Sequence, residues 1–373
     1  MATTTNLAAL VASGGFMLGF VFGFVANKTD FCTMGAVSDI VNMGSWDRMR
    51  MWLLAIAVAM LGAGLLQYAG LVDLTRSIYV RPSLNWLSYS VGGILFGVGM
   101  TLASGCGSKT LIRVGTGNLK SLIVMLVLSI SAYMTLKGLF APLRAYGLDQ
   151  INVNLAASKI SHQDLASLFG GLTNIGHDPL ALILSAALFT ALLFFILKDG
   201  AFRREKNYLL GGSVIGLLVV AGWYVSGHLG YGENPDTLET VYFGTNTRTI
   251  ESLTFIAPVA YSLEILMLWT DKSLSVTFGI ASTAGVILGS FAYALASRTF
   301  RWESFASAAD LRNHIAGGVL MGFGGVTAMG CTIGQGITGV STLALGSFIT
   351  FAGIVAGSAA TMKYQYWRIA GEN

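Results

Sequence analysis

The sequence predicts an all-α polytopic membrane protein, on three observations. Of its 373 residues 54% are hydrophobic and 11% are charged, against roughly 25% charged in an ordinary soluble domain. Ten apolar windows are long enough to approach the ~30 Å of a bilayer's hydrocarbon core, at 7–25, 50–71, 86–103, 118–137, 179–197, 208–227, 253–270, 274–296, 313–329 and 342–362. A glycine pattern recurs within them. The 22 Lys and Arg and 18 Asp and Glu cannot coat a 39.4 kDa globule, and the mean hydropathy of +0.68 excludes a water-soluble enzyme. Continuous runs of this length make helices rather than the short alternating strands of a barrel.

Basic residues orient the spans, because Lys and Arg concentrate on the cytoplasmic side. With ten spans they divide 11 to 11. If one of the windows 253–270 and 274–296 does not cross, 15 fall on the side of the C-terminus and 7 on the other, the latter including Lys137, Lys159 and Arg248. Nine transmembrane helices are therefore expected, with the N-terminus outside and the C-terminus cytoplasmic. The net charge of +4 is scattered, which gives nucleic acid no footprint. The stretch before the first apolar window lacks a basic region, so that window reads as a retained span rather than a signal peptide. The polar stretch 138–178 suggests an interfacial helix without an assigned function.

The glycine pattern is Gly14-Gly15 with Gly19, Gly92-Gly93 with Gly97, Gly211-Gly212 with Gly216, and Gly317-Gly318 with Gly322. Its second and fourth copies align without a gap at an offset of 225, ending on Gly105-Cys106 and Gly330-Cys331. A single copy would be a helix-packing face; four copies point to internal duplication. The expected organisation is a first repeat half over 1–140, a connecting loop and span over 141–206, and a second repeat half over 207–373.

Three cysteines, Cys32, Cys106 and Cys331, end three of these glycine helices, and Val225-Ser226-Gly227-His228 takes the corresponding place in the remaining unit. Their odd number and lack of CxxC spacing point to free thiols rather than disulfides or zinc. Each is followed by a glycine-interrupted segment, the layout of a helix broken at membrane depth with a short re-entrant helix starting beside a cavity. The N-H groups of such a helix favour an anion, as do Lys109 and Arg113, although both also fit a positive-inside loop. Thiols suit a soft sulfur atom, while the hydroxyls of Ser104, Ser108, Thr110, Thr332 and Thr338, with Gln335, supply harder donors. Glu264 lies within an apolar window and is a functional candidate for that reason. Four scattered histidines have no metal-ligand spacing, and no metal or cofactor is expected.

The stretches Asp30-Phe31-Cys32-Thr33-Met34-Gly35-Ala36, Ala103-Ser104-Gly105-Cys106-Gly107 and Gly330-Cys331-Thr332-Ile333-Gly334-Gln335-Gly336 resemble the three cysteine motifs of the YeeE/YedE sulphur-transport family. The resemblance implies a bacterial inner-membrane protein of hourglass shape whose short helices dip to a waist. It implies uptake of thiosulfate along a line of thiols by S-H···S contacts, with Cys106 central and Cys32 and Cys331 on either side. It also admits a TusA-like sulfur carrier as a cytoplasmic partner, and relatives assigned to selenium metabolism keep the chalcogen open. The expected pathway comprises Cys32, Ser104, Gly105, Cys106, Gly107, Lys109, Gly330, Cys331, Thr332 and Gln335. The reading is a permease, not an enzyme. The alternative is a membrane sulfurtransferase holding a persulfide on a thiolate activated by a neighbouring cation, for which Lys109 is the near candidate.

Overall fold

The computed structural model describes residues 2–158, 160–170, 175–233 and 239–371; Lys159 of the charge count lies outside them. Fourteen α-helices follow in order. Residues 1–140 hold α1 (Ala2–Lys28), α2 (Thr33–Ser38), α3 (Asp47–Tyr68), α4 (Trp86–Leu102), α5 (Gly107–Gly115) and α6 (Leu119–Lys137). The connecting region holds α7 (Leu165–Gly170), α8 (His177–Leu197) and α9 (Gly200–Arg204). The second half holds α10 (Lys206–Tyr224), α11 (Ala257–Met267), α12 (Phe278–Ala296), α13 (Ala308–Thr327) and α14 (Leu345–Gly371). Among the described residues four strands of two or three residues form two small antiparallel pairs.

Among the described residues eight segments are long and apolar enough to cross a membrane. A ninth helix, α13, has 20 residues and carries Asp310, Arg312 and His314 near its start. Window 253–270 is the one that does not span. Helix α11 has 11 residues, about 16 Å at 1.5 Å per residue, little more than half the hydrocarbon thickness. The apolar residues before it, Ile250, Leu253, Phe255 and Ile256, are buried in protein rather than facing lipid. Glu264 is accounted for structurally: Tyr133 donates to its carboxylate at 2.8 Å and Lys137 at 3.0 Å, tying α11 to the end of α6.

Glycines set the helix pairing. In lipid no hydrophobic force pulls helices together, so association depends on close backbone approach. On α1, a Cβ at Gly19 would stand 2.1 Å from the Ser282 carbonyl oxygen and one at Gly23 2.1 Å from that of Val286, while α12 returns the contact at Gly289, 1.9 Å from the Phe20 oxygen. The glycine helices α4, α10 and α13 pack in the same parallel manner on α14, α3 and α6. Each glycine helix thus lies against the closing helix of a unit from the other half. A fifth contact joins α4 and α13 antiparallel. Gly92 meets Gly324 and Gly99 meets Gly317, with built Cβ to carbonyl distances of 2.6–2.7 Å in all four directions. Under the 225-residue offset these are equivalent positions exchanged, as a two-fold axis across the helices would place them.

Candidate functional site

The cysteine turns are built by one local device used three times. Helices α1, α4 and α13 each end on a residue with left-handed backbone, Asp30 (φ 50°), Ser104 (φ 54°) and Met329 (φ 60°), two positions before the cysteine. The next N-H reaches back to the helix: Phe31 to the Ala26 oxygen at 3.0 Å, Gly105 to Met100 at 2.8 Å, Gly330 to Gly325 at 2.7 Å. This is the hydrogen-bond pattern of a Schellman cap. A residue with a Cβ costs roughly 1–2 kcal/mol in that conformation, and at Asp30 and Met329 the side chain has a local use that glycine would lack. Asp30 is bonded to Lys109 and Arg48, and the Met329 sulfur accepts from Tyr89 at 3.5 Å. The Ser104 oxygen of the main chain accepts from Arg113 at 2.7 Å.

Each cysteine then starts a short helical segment. Cys32 and Cys331 cap theirs with sulfur, accepting the N-H of Gly35 and of Gly334 at 3.4 Å. Cys106 makes no such cap at the start of α5; its sulfur lies 3.3 Å from Ser108 Oγ. The thiols of Cys32 and Cys106 are neighbours, and the Thr332 hydroxyl approaches Cys106 from the opposite half without a directed hydrogen bond of its own. Residues separated by up to 300 positions therefore come together, Cys32 beside Cys106 and Cys106 beside Thr332, with Cys331 adjoining Thr332 in the chain. All three cysteines are free and buried, with 6%, 1% and 0% of their surface exposed.

Two cavities flank the cluster, at opposite ends of α4, α6, α12 and α13. One of about 220 Å³ is lined by Tyr79, Arg81, Thr254, Glu251 and the Val326–Met329 end of α13, which leads into Cys331. The other, of about 850 Å³, is lined by Ser104, Arg113, Lys120, Arg298 and Arg301, with Glu303, Asp310 and His314. Beside Cys32, Lys109 and Arg48 both bind Asp30, and Arg48 also reaches Asp39 at 3.1 Å. Lys109 is therefore half of an ion pair joining two repeat units.

Among the expected pathway residues, Cys32, Cys106 and Thr332 lie side by side, and Cys331, which precedes Thr332 in the chain, is within electrostatic reach of Cys106. Gly107 is closed in, since a Cβ there would lie 3.1 Å from Ile256, whereas Gly105 has ordinary room beside Lys109 and Arg113. Gly330 abuts Gln335, whose amide donates to the Ala328 oxygen at 2.6 Å and so closes α13, leaving its carbonyl oxygen buried and unpartnered. Of the hydroxyls, Thr110 and Thr338 face away: they donate to the main-chain oxygens of Cys106 and Leu253 at 3.0 and 2.7 Å. Tyr79, Thr254 and Glu251 carry no local motif and were not among the expected residues. Their place beside Cys331 comes from stretches that pack there only in three dimensions.

A family model described as Sulphur transport matches residues 28–360, spanning all three cysteine turns. The chain belongs to the sulphur-transport family. Two relatives in it are named thiosulfate transporter TsuA. That of Escherichia coli is 28% identical over 87% of this chain and 86% of its own length. That of Spirochaeta thermophila is 26% identical over 92% of this chain and 96% of its own.

Proposed function

We propose that this sulphur-transport family member moves thiosulfate across the membrane through the buried thiol cluster, entering from the Glu251 side and leaving on the Arg298 side. The carrying observation is that three free, buried cysteines lie at the helix turns between two cavities at opposite ends of the same helices. The names of both relatives support the substrate. Thiosulfate has a soft terminal sulfur and hard oxygens: the sulfur matches neutral thiols, and the oxygens match the N-H groups at the start of the nine-residue α5 together with Ser108 and Thr332. Contacts that are individually weak and placed in series let an ion move on rather than remain bound. Cys106, uncapped and in touch with both halves, is the central thiol, with Cys331 before it and Cys32 after it.

The charge bias places the 850 Å³ cavity, with Arg113, Lys120, Arg298 and Arg301, on the cytoplasmic side of a bacterial inner membrane. That assignment puts the N-terminus outside and the C-terminus inside, and gives a TusA-like carrier a basic surface to meet. The 1–140 and 207–373 halves then act as one unit, since every glycine helix is packed on a helix of the other half. A persulfide route would need a cation free to activate a thiolate, and the Lys109 ammonium is held by Asp30.

Transport with the two sulfurs of thiosulfate carrying different isotopes tests this reading. Both labels should reach the lumen of proteoliposomes in equal amounts; separation of the labels at the membrane establishes the transferase instead.

A further inference from the structure

The repeat unit without a cysteine supplies a carboxylate. Helix α10 does not end in a left-handed turn but runs on into a π-helical turn, Val225–Leu229. Ser226, fully buried within it, donates to the Glu251 main-chain oxygen and accepts from the Glu251 N-H at 3.1 Å. That clamp fixes Glu251 in the non-helical stretch before α11 and sets its side chain in the wall of the 220 Å³ cavity leading to Cys331. One carboxylate oxygen accepts from the N-H groups of Asn246 (2.8 Å) and Thr247 (3.1 Å) and from the Thr247 hydroxyl (3.1 Å). Among the described residues no Lys, Arg or His pairs with the carboxylate.

The other ionisable groups of this region are otherwise engaged or set apart. Arg144 pairs with Asp149 across the same cavity at 3.5 Å, and Arg81 lies at its rim, exposed. Tyr79 and Tyr261 line the wall as neutral phenols. In the adjoining cavity Lys137 is bound to Glu264, and Arg248 is exposed at the mouth. His228, two residues from Ser226, faces the Leu71 oxygen at 3.2 Å and stacks on Tyr224. Cys331 lies beyond Thr254.

An ionised Glu251 in this cavity opposes the entry of any anion, because the repulsion between like charges is several times stronger in a protein interior than in water. We infer that Glu251 is a proton-binding site of the transport path, which takes a proton from water as a divalent sulfur oxyanion occupies the cavity and releases it as the anion leaves. Substrate capture is then proton-linked, and by reciprocity the bound anion raises the affinity of Glu251 for its proton. Burial already pushes this carboxyl above its ordinary range, against the pull of the Thr247 and Asn246 N-H groups. The inference rests on the proposed thiosulfate path but concerns a separate residue.

The test is thiosulfate binding to the purified full-length protein by calorimetry from pH 5.5 to 8.5, in buffers of differing ionisation enthalpy. With one linked proton the apparent affinity should weaken about tenfold per pH unit on the alkaline side, with close to one proton taken up per anion there. Glu251→Gln, which keeps an acceptor for Asn246 and Thr247, should bind with no pH slope and no proton uptake. Binding by the wild type with no proton uptake at any pH, or a Gln variant with the wild-type slope, overturns the inference and leaves thiosulfate transport standing. Absence of binding even at pH 5.5 overturns both. Should the variant fail to fold, the wild-type proton count alone decides.

Discussion

The second half of the chain contains two glycine helices that begin alike and end differently. Helix α13 stops at a left-handed Met329, turns, and delivers Cys331 to the cluster. Helix α10 makes no such turn and ends in Ser226, which holds the main chain of Glu251. The glycine faces do the same packing work in both, so packing does not choose the chemistry. The turn after the helix does: it decides whether a unit presents its own side chain at the centre or braces a side chain from another segment.

The comparison breaks most readily at the cysteines. Cys106→Ala and Cys106→Ser should both reduce thiosulfate uptake in proteoliposomes to background, since serine keeps a donor but loses the soft sulfur. Wild-type uptake by either variant would remove the thiol cluster from transport. The packing side is tested at Gly289 and Gly99. Valine at either has to displace a facing backbone, at Phe20 or Gly317, and overpacking of this kind costs about 1–3 kcal/mol. Thermal unfolding in detergent should show it, while Gly147→Val, with nothing within 4 Å of the new Cβ, should leave the midpoint in place.

Cys331→Ser and Cys32→Ser sharpen the contrast, because the oxygen can still accept from Gly334 or Gly35 and preserve the cap. We expect folded protein with uptake reduced about tenfold, near 1.4 kcal/mol; a loss of folding instead would make these two sulfurs structural. Ser226→Ala should cost about 1–3 kcal/mol, the penalty for stripping buried main-chain groups of their partner. Chemical denaturation checks this.

The smallest effect concerns how the Cys331 unit is held in place. The 160–170 segment bonds the turn after the Cys331 helix, Leu165 N-H to the Leu343 oxygen at 3.1 Å and Leu345 N-H to the Gln163 oxygen at 3.0 Å. Asp164 organises that segment through His177 at 2.9 Å and Ser167 at 2.7 Å. Burial would raise its carboxyl, but these hydrogen bonds outweigh it and hold Asp164 below its ordinary value. A depressed carboxyl stabilises above its unfolded pKa, about 3.9, and that contribution is lost as pH falls through the folded value. Asp164→Asn should therefore flatten the unfolding midpoint below about pH 4, and an unchanged profile would show that the cluster contributes nothing.

The sequence by itself determined the membrane class, nine of the helices and the three thiol turns. Apolar length and glycine spacing are local properties, and lipid rewards them wherever they occur. It also carried the 225-residue offset, which the exchanged contacts of Gly92 with Gly324 and of Gly99 with Gly317 obey. What stayed hidden depends on segments distant in the chain. Hydropathy scored 253–270 as a span, since it cannot tell Phe255 and Ile256 buried in protein from the same residues in lipid. Nothing near Asp30, Ser104 or Met329 announces a left-handed residue where glycine is usual, because the compensating partners are Lys109, Arg113 and Tyr89. Glu251 reads as an ordinary loop acid until Ser226 is seen behind it. Only the tertiary structure could decide which side chains meet, because a contact between residues of opposite halves is a property of their packing and not of either stretch alone.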